Sequence, residues 1–406
     1  MEKNWLRRTI LFLSGQIISM FGSSLVQFGI SWYITLLTEN GVIIMVATLC
    51  GFLPQVLISL FAGVWADRYN RKVLIILADS MIAICTAVLA VLFSVGYESL
   101  WLLFVISAIR SIGAGIQSPA VSALLPELVP PDKLMRVNGI NDSIMGISML
   151  VAPAIAGGLY GALGIGPIFW VDVATAVIGI SLLMFLKYVP EEKKTALSEH
   201  FIRDMFSGIR YVMDTPWLYQ LMGFYLFYAL MFGPVVFLTP LMVAVRFGKE
   251  PWRLMLHEIV FSGGSIIGGL LIGVWGGFKN RSLTLLLACS AFGLTTLIMG
   301  FSPDYWFYLG AMLPMGITMP FINTSSMTIM QTNVKPELMG RTFGLSSIVF
   351  SGAMPLSMVV FGPLEKVTGV GFQLIVTGAL MIGSSLLMLK SKSLMRVGKP
   401  LLEMES

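Results

Sequence analysis

The chain has 406 residues, of which 56% are hydrophobic and only 12% charged, with a formal net charge of +5. Soluble domains carry about 25% charged residues, so this composition excludes a soluble enzyme, a nucleic-acid binder, a disordered chain and a secreted disulfide scaffold. Cys50, Cys85 and Cys289 each sit inside an apolar run, and an odd set of buried thiols is no disulfide framework.

An apolar run longer than about 18 residues can cross a bilayer as a helix. Twelve such spans are expected in chain order: 10–37, 42–66, 73–94, 100–124, 138–160, 166–187, 217–244, 255–277, 282–301, 305–330, 342–363 and 370–390. The first is expected to stay uncleaved. Lys3, Arg7 and Arg8 precede an apolar stretch far longer than a signal-peptide core, with no small-residue cleavage site. With both termini placed in the cytoplasm, 21 of the 26 Lys and Arg fall on the inner side and four in outer loops. That asymmetry sets the expected topology and accounts for the net positive charge without an anionic partner.

Residues 188–215 form the one long polar break and separate six spans from six. Within it Phe201, Met205, Ile209 and Val212 recur at helical spacing, which fits a short amphipathic helix on the inner surface. A solvated linker fits equally. The expected organisation is a six-helix bundle over 1–188, a cytoplasmic central loop over 189–215, a second six-helix bundle over 216–390 and a cytoplasmic tail over 391–406.

The two halves echo each other. Residues 63–72 read GVWADRYNRK and residues 273–282 read GVWGGFKNRS, agreeing at Gly, Val, Trp, Asn and Arg. Each segment falls between the second and third span of its half. A weaker echo matches Pro131-Asp132, Arg136 and Gly139 to Pro336-Glu337, Arg341 and Gly344. Two echoes at matching places argue for duplication, and duplicated six-helix halves are a transporter architecture.

The segment running from Gly63 through Asp67, Arg68 and Arg71 to Lys72 resembles the loop 2–3 signature of the major facilitator superfamily, Gly-x-x-x-Asp-Arg-x-Gly-Arg-Lys. Asn70 stands where Gly is usual, and Asn tolerates a left-handed turn; the second copy has Gly277 where Asp67 stands. The resemblance covers the whole chain and implies an all-α fold of twelve transmembrane helices in two pseudo-symmetric bundles. Arg110 with Gly113 and Gly115 is similar to a pattern of the proton-coupled members. The stretch from Gly146 through Pro153 to Gly157 and Gly158 resembles the antiporter motif Gly-Pro-x-x-Gly-Gly, with two of its glycines replaced by alanine. GFLP at 51–54, RSIG at 110–113 and the Glu258-Ile-x-Phe stretch are similar to the macrolide-efflux type of drug:proton antiporter. The resemblance therefore implies a multi-pass protein of the plasma (inner) membrane working as a monomer in multidrug efflux, with a small molecule, protons and the bilayer as partners.

The residues themselves suggest roles. In the loop, Asp67 is an acid in a positive-inside segment, which topological anchoring does not explain. It could accept hydrogen bonds in one conformation and release them in another. Gly63, Arg68 and Arg71 belong to the same gate candidate, and anchoring suffices for Lys72. Arg110 is the one basic residue deep in a span, and such a charge faces a bundle interior or cavity. It is a proton-relay or substrate-contact candidate, the other reading being a structural interhelical pair. Gln117 shares its face. Among the in-span acids, Glu258 and Asp172 are proton-coupling candidates, with a wet rim near Arg253 as the other reading for Glu258. Asp79 and Asp142 read better as interfacial groups or partners of a loop arginine, and His257 as structural or exposed. Gln16, Ser19, Ser23 and Gln27 in span one, Asn323 in the polar cluster of span ten, and Tyr225 and Tyr228 in span seven are cavity candidates. Polar stripes of this kind also glue helices together.

No phosphate-binding Gly-x-x-x-x-Gly-Lys-Ser/Thr loop occurs, no His/Cys cluster has metal spacing, and two histidines offer no credible hydrolase triad. The sequence therefore points to no cofactor, no enzyme and a proton gradient as driving force. The function expected is proton-coupled efflux of a hydrophobic or amphipathic molecule such as a macrolide-like drug, by alternating access. Two alternatives stay open: a proton-linked importer or exporter of an endogenous metabolite such as a siderophore, and a transport-inactive receptor or assembly subunit.

Overall fold

Lipid offers no partner to an unpaired peptide group, so long apolar segments satisfy their backbones internally as helices. The computed structural model describes residues 5–186, 188, 209–335 and 338–399, and twelve long helices account for most of them. They are α1 (Trp5–Thr38), α2 (Gly41–Arg68), α3 (Arg71–Ser94), α4 (Leu100–Leu128), α5 (Pro131–Leu163) and α6 (Gly166–Phe185), then α7 (Pro216–Met242), α8 (Pro251–Trp275), α9 (Arg281–Gly300), α10 (Tyr305–Asn333), α11 (Met339–Thr368) and α12 (Val370–Leu389). A short helix, α13 (Lys392–Val397), follows. The fold is all-α, as expected, and large apolar side chains such as Trp101, Phe185, Val274 and Val367 stand exposed. Such a surface belongs in a membrane.

Several helices outrun their apolar stretches. α5 opens at Pro131, seven residues before the expected span, because proline at the first helical position gives up no hydrogen bond. Among the described residues, eleven helices are long and apolar enough to span. The remaining long helix, α10, is diluted by Pro314, Pro320 and the run Asn323-Thr-Ser-Ser326. Of the amphipathic helix expected over 199–212, residues 199–208 lie outside the described residues, and 209–214 are helical.

The chain forms two compact units: residues 1–39, 43–196 and 249–255, and residues 40–42, 197–248 and 256–406. In the first, α3 packs on α4 and α6, and α1 packs on α5 and α6. In the second, α9 packs on α10 and α12, and α7 packs on α11 and α12. The pairing repeats with a shift of six helices, the structural counterpart of the sequence echo. Inside the first unit α1 and α6 cross so closely that a Cβ on Gly179 would stand 2.7 Å from the Gly15 carbonyl oxygen. Only glycine fits there, and the contact holds α6 at a fixed depth against α1.

The echoed loops use the same residues in the same way. Asn70 caps α3, its side chain accepting from the Val73 N–H, and Asn280 caps α9, accepting from the Ser282 and Leu283 N–H groups. The expectation of a left-handed Asn70 is corrected: its φ is −63°, because an N-cap residue is extended and uses its side-chain oxygen instead. Arg71 Nε donates to the Ala66 carbonyl, and Arg281 Nη1 donates to the equivalent carbonyl of Gly276. Each arginine closes the end of the preceding helix, where carbonyls lack partners. The copies differ where α8 stops at Trp275 and Gly276 and Gly277 turn left-handed, with φ of +73° and +78°. α2 instead stays helical through Arg68. A residue with a side chain is strained in the backbone that Gly277 adopts. Loss of either asparagine cap costs about 1 kcal/mol. Asn70→Ala and Asn280→Ala are each expected to lower the thermal melting point in detergent modestly, and the double variant additively.

Candidate functional site

The polar interior of the first unit is built from residues seven apart. On α1 they are Gln16 and Ser23, on α3 Asp79 and Thr86, and on α4 Arg110 and Gln117. Seven residues are two helical turns, about 10.5 Å, so each helix contributes one group to each of two layers.

The outer layer centres on Asp172 of α6, which is fully buried. Arg110 Nη1 lies 2.6 Å from Asp172 Oδ2, with side-chain exposures of 11% and 1%. Thr86 Oγ1 is 2.8 Å from the same oxygen and also accepts from Arg110 Nη1. Ser23 Oγ donates to Asp172 Oδ1 at 3.3 Å. An ion pair withdrawn from water is retained only when its remaining valences are bonded in this manner. Both proton-coupling candidates of this unit thus belong to one site. Thr86 completes it and was missed, although its spacing from Asp79 repeats that of the flagged polar pairs.

The inner layer centres on Asp79, 2% exposed. Gln117 Nε2 donates to Asp79 Oδ1 and lies 3.4 Å from Gln16 Oε1. The expectation that Asp79 is interfacial or pairs with a loop arginine is corrected: it is buried, and the seven-residue register carries it onto Gln117. Asp142 is exposed on α5.

A cavity of about 210 Å³ opens beside both layers, lined by Ser23, Gln27, Gln55, Arg110, Ser111 and Gln117 among others. Ser111 Oγ accepts the Gln55 backbone N–H at 2.9 Å, one residue beyond Pro54, which lies inside α2 and donates no backbone hydrogen bond. Three of the span-one candidates part company here: Ser23 lines the cavity, Gln16 is buried in the inner layer, and Ser19 is buried against Gly179 of α6.

At the end of the unit Arg71 is almost fully buried. Its Nη1 donates to the Ala123 carbonyl at 2.8 Å and pairs with Glu127 at 2.6 Å, and Tyr188 donates to Glu127 from the chain beyond α6. Lys72 Nζ donates to the Met184 and Leu186 carbonyls at 3.1 and 2.7 Å, closing the α6 C-terminus. Arg68 is exposed, as is Gly63, where a Cβ would meet nothing. The Asp67 side chain lies outside the described residues.

In the antiporter-like stretch of α5, Pro153 and Gly157 are buried and Gly158 is exposed. In the second unit Glu258 is half-buried, and Arg253 Nε lies 2.9 Å from Glu250. His257 is buried. Tyr308 donates to the Thr239 carbonyl at 3.1 Å, so its oxygen accepts from His257 Nδ1–H at 2.9 Å, which fixes the tautomer. Tyr225 shares a hydrogen bond with Ser326 of α10, Tyr228 is buried among Phe224 and Phe292, and Asn323 is exposed. Within the segment expected as a cytoplasmic tail, α13 packs on the start of α9: Asn280 Nδ2 and Ser282 Oγ donate to the Met395 and Leu394 carbonyls at 2.8 and 2.7 Å.

Residues 12–358 match the family model of the Major Facilitator Superfamily. Macrolide efflux protein A of Streptococcus pyogenes is 31% identical over 94% of this chain and 96% of its own length. Multidrug efflux pump Tap of Mycolicibacterium fortuitum is 23% identical over 89% of this chain and 90% of its own. Among solved structures, the xylose transporter XylE from E. coli, in an inward open conformation, superposes with a TM-score of 0.67 at 13% identity, over 99% of this chain and 99% of that one. At that identity the likeness speaks for the fold alone.

Proposed function

The chain belongs to the Major Facilitator Superfamily, and from that membership we propose that this multi-pass membrane transporter exports a hydrophobic or amphipathic small molecule, of the macrolide kind, in exchange for protons. Similarity over almost the full length to a macrolide efflux protein supports the substrate class and direction. The observation that carries the coupling is the buried Arg110–Asp172 pair. A proton arriving on Asp172 cancels one charge of the pair and frees Arg110, and a two-state protein responds to such a change by shifting its population. Glu258 is the corresponding candidate in the second unit. No ATP-binding loop competes as energy source.

The cycle runs by alternating access in the plasma membrane, with both termini cytoplasmic as the Lys and Arg bias directs. One proton moving through 100 mV releases about 2.3 kcal/mol, enough for a concentration ratio of about fifty. Cells expressing the protein are expected to accumulate less labelled macrolide than control cells, and a protonophore is expected to abolish the difference. Higher accumulation in expressing cells would indicate import and contradict the reading, as would a difference that survives the protonophore.

A further inference from the structure

The inner layer is used by nothing above, and its hydrogen bonding is lopsided. Asp79 Oδ1 accepts from Gln117, whereas Asp79 Oδ2 and Gln16 Nε2 are both buried and without a hydrogen-bond partner. The charged groups on the packed helices are already committed. α4 brings Arg110, bound to Asp172 of α6, and Glu127, bound to Arg71 at the unit's end. α1 places no charged residue in this region, its Arg7 and Arg8 being exposed near its start. An ionised Asp79 would therefore leave a net negative charge in an apolar interior, held by one neutral amide, which is strongly unfavourable. A neutral acid removes that charge and keeps the Gln117 donor on its carbonyl oxygen.

We propose that Asp79 is a second proton-carrying carboxyl of the transport cycle, loaded while Arg110 holds Asp172 and unloaded through the cavity beside Gln117. This rests on the proton-coupled reading and extends it to a residue outside the Arg110–Asp172 pair. In the unloading step the Oδ2–H bond of Asp79 breaks and the proton passes to a water that enters past Gln117 from the cavity, leaving a carboxylate. Gln117 continues to donate to Oδ1, and the spare Gln16 Nε2–H becomes the donor to Oδ2. The two amides thus serve the charged form, while the lack of a cation serves the neutral one. That combination suits a group that changes state rather than one that glues helices.

The test uses the purified full-length protein in lipid, by infrared difference spectroscopy through a pH titration. The wild type is expected to show the C=O stretch of a protonated carboxylic acid that is absent in Asp79→Asn. The same band is expected to shift in frequency in Gln117→Leu, which removes the donor on the carbonyl oxygen, and to persist to higher pH in Gln16→Leu, which removes the donor awaiting the carboxylate. These two variants keep the test open if Asp79→Asn fails to fold. A band unchanged by Asp79→Asn, or by both glutamine variants, overturns the assignment. Proton release on adding erythromycin is scored separately. Its absence in the wild type would defeat the antiport reading, whereas release of the normal size from Asp79→Asn would defeat this proposal alone.

Discussion

Asp172→Asn is expected to destabilise the first unit by about 3–5 kcal/mol, because it strands a buried guanidinium whose carboxylate partner among the described residues is Asp172. Arg110→Ala is expected to cost as much by leaving the fully buried Asp172 with only the Thr86 and Ser23 hydroxyls. The informative variant is the pair. Replacing both charges, as in Arg110→Gln with Asp172→Asn, removes the uncompensated charge and is expected to recover most of the lost stability. Proton-driven transport is expected to remain absent in all three. Thermal melting in detergent and substrate transport in vesicles separate the two effects. If the double variant recovers stability and also transports, the pair is structural and carries no proton.

Arg71→Ala is expected to be the other severe change, at about 3–5 kcal/mol. One side chain bonds the end of α2 through the Ala66 carbonyl, the end of α4 through the Ala123 carbonyl, and Glu127. Its loss leaves Glu127 without that partner in a half-buried position and opens two helix ends at once. Arg71→Lys is expected to recover little, since an ammonium cannot span three acceptors in the fork that a guanidinium offers. Expression yield and melting temperature check this, with exposed Arg68→Ala as the comparison expected to melt near the wild type. A wild-type melting point for Arg71→Ala would show that the loop end is held elsewhere.

What the sequence disclosed divides along physical lines. Helices were legible because a bilayer demands them, and the number and order of the long ones followed from apolar runs. Arg110 was legible as a problem, since an isolated charge in a span has to be answered. Its answer was not, because Asp172 lies 62 residues away and meets it only through the shared packing of α3 with α4 and α6. The seven-residue ladder was present in the letters, yet Thr86 went unnoticed because a threonine on an apolar helix carries no signal until its face is known. Asp79 was misplaced for a related reason: distance along α3 suggested a rim, and rotation about the helix put it inside. Asn70 was read by analogy with a glycine turn, whereas an N-cap uses the asparagine side chain, and the same residue at Asn280 was the available clue. Tail residues 392–397 held a helix whose dock, Asn280 and Ser282, belongs to the degenerate loop copy.

Exchange of a drug for protons is tested in reconstituted liposomes, where no other transporter is present. With the purified protein in vesicles loaded with a pH dye and held under a proton gradient, adding erythromycin is expected to move protons down that gradient while the labelled drug moves against its own. Asp172→Asn vesicles are expected to do neither. Drug movement in the wild type with no accompanying proton movement would contradict the account.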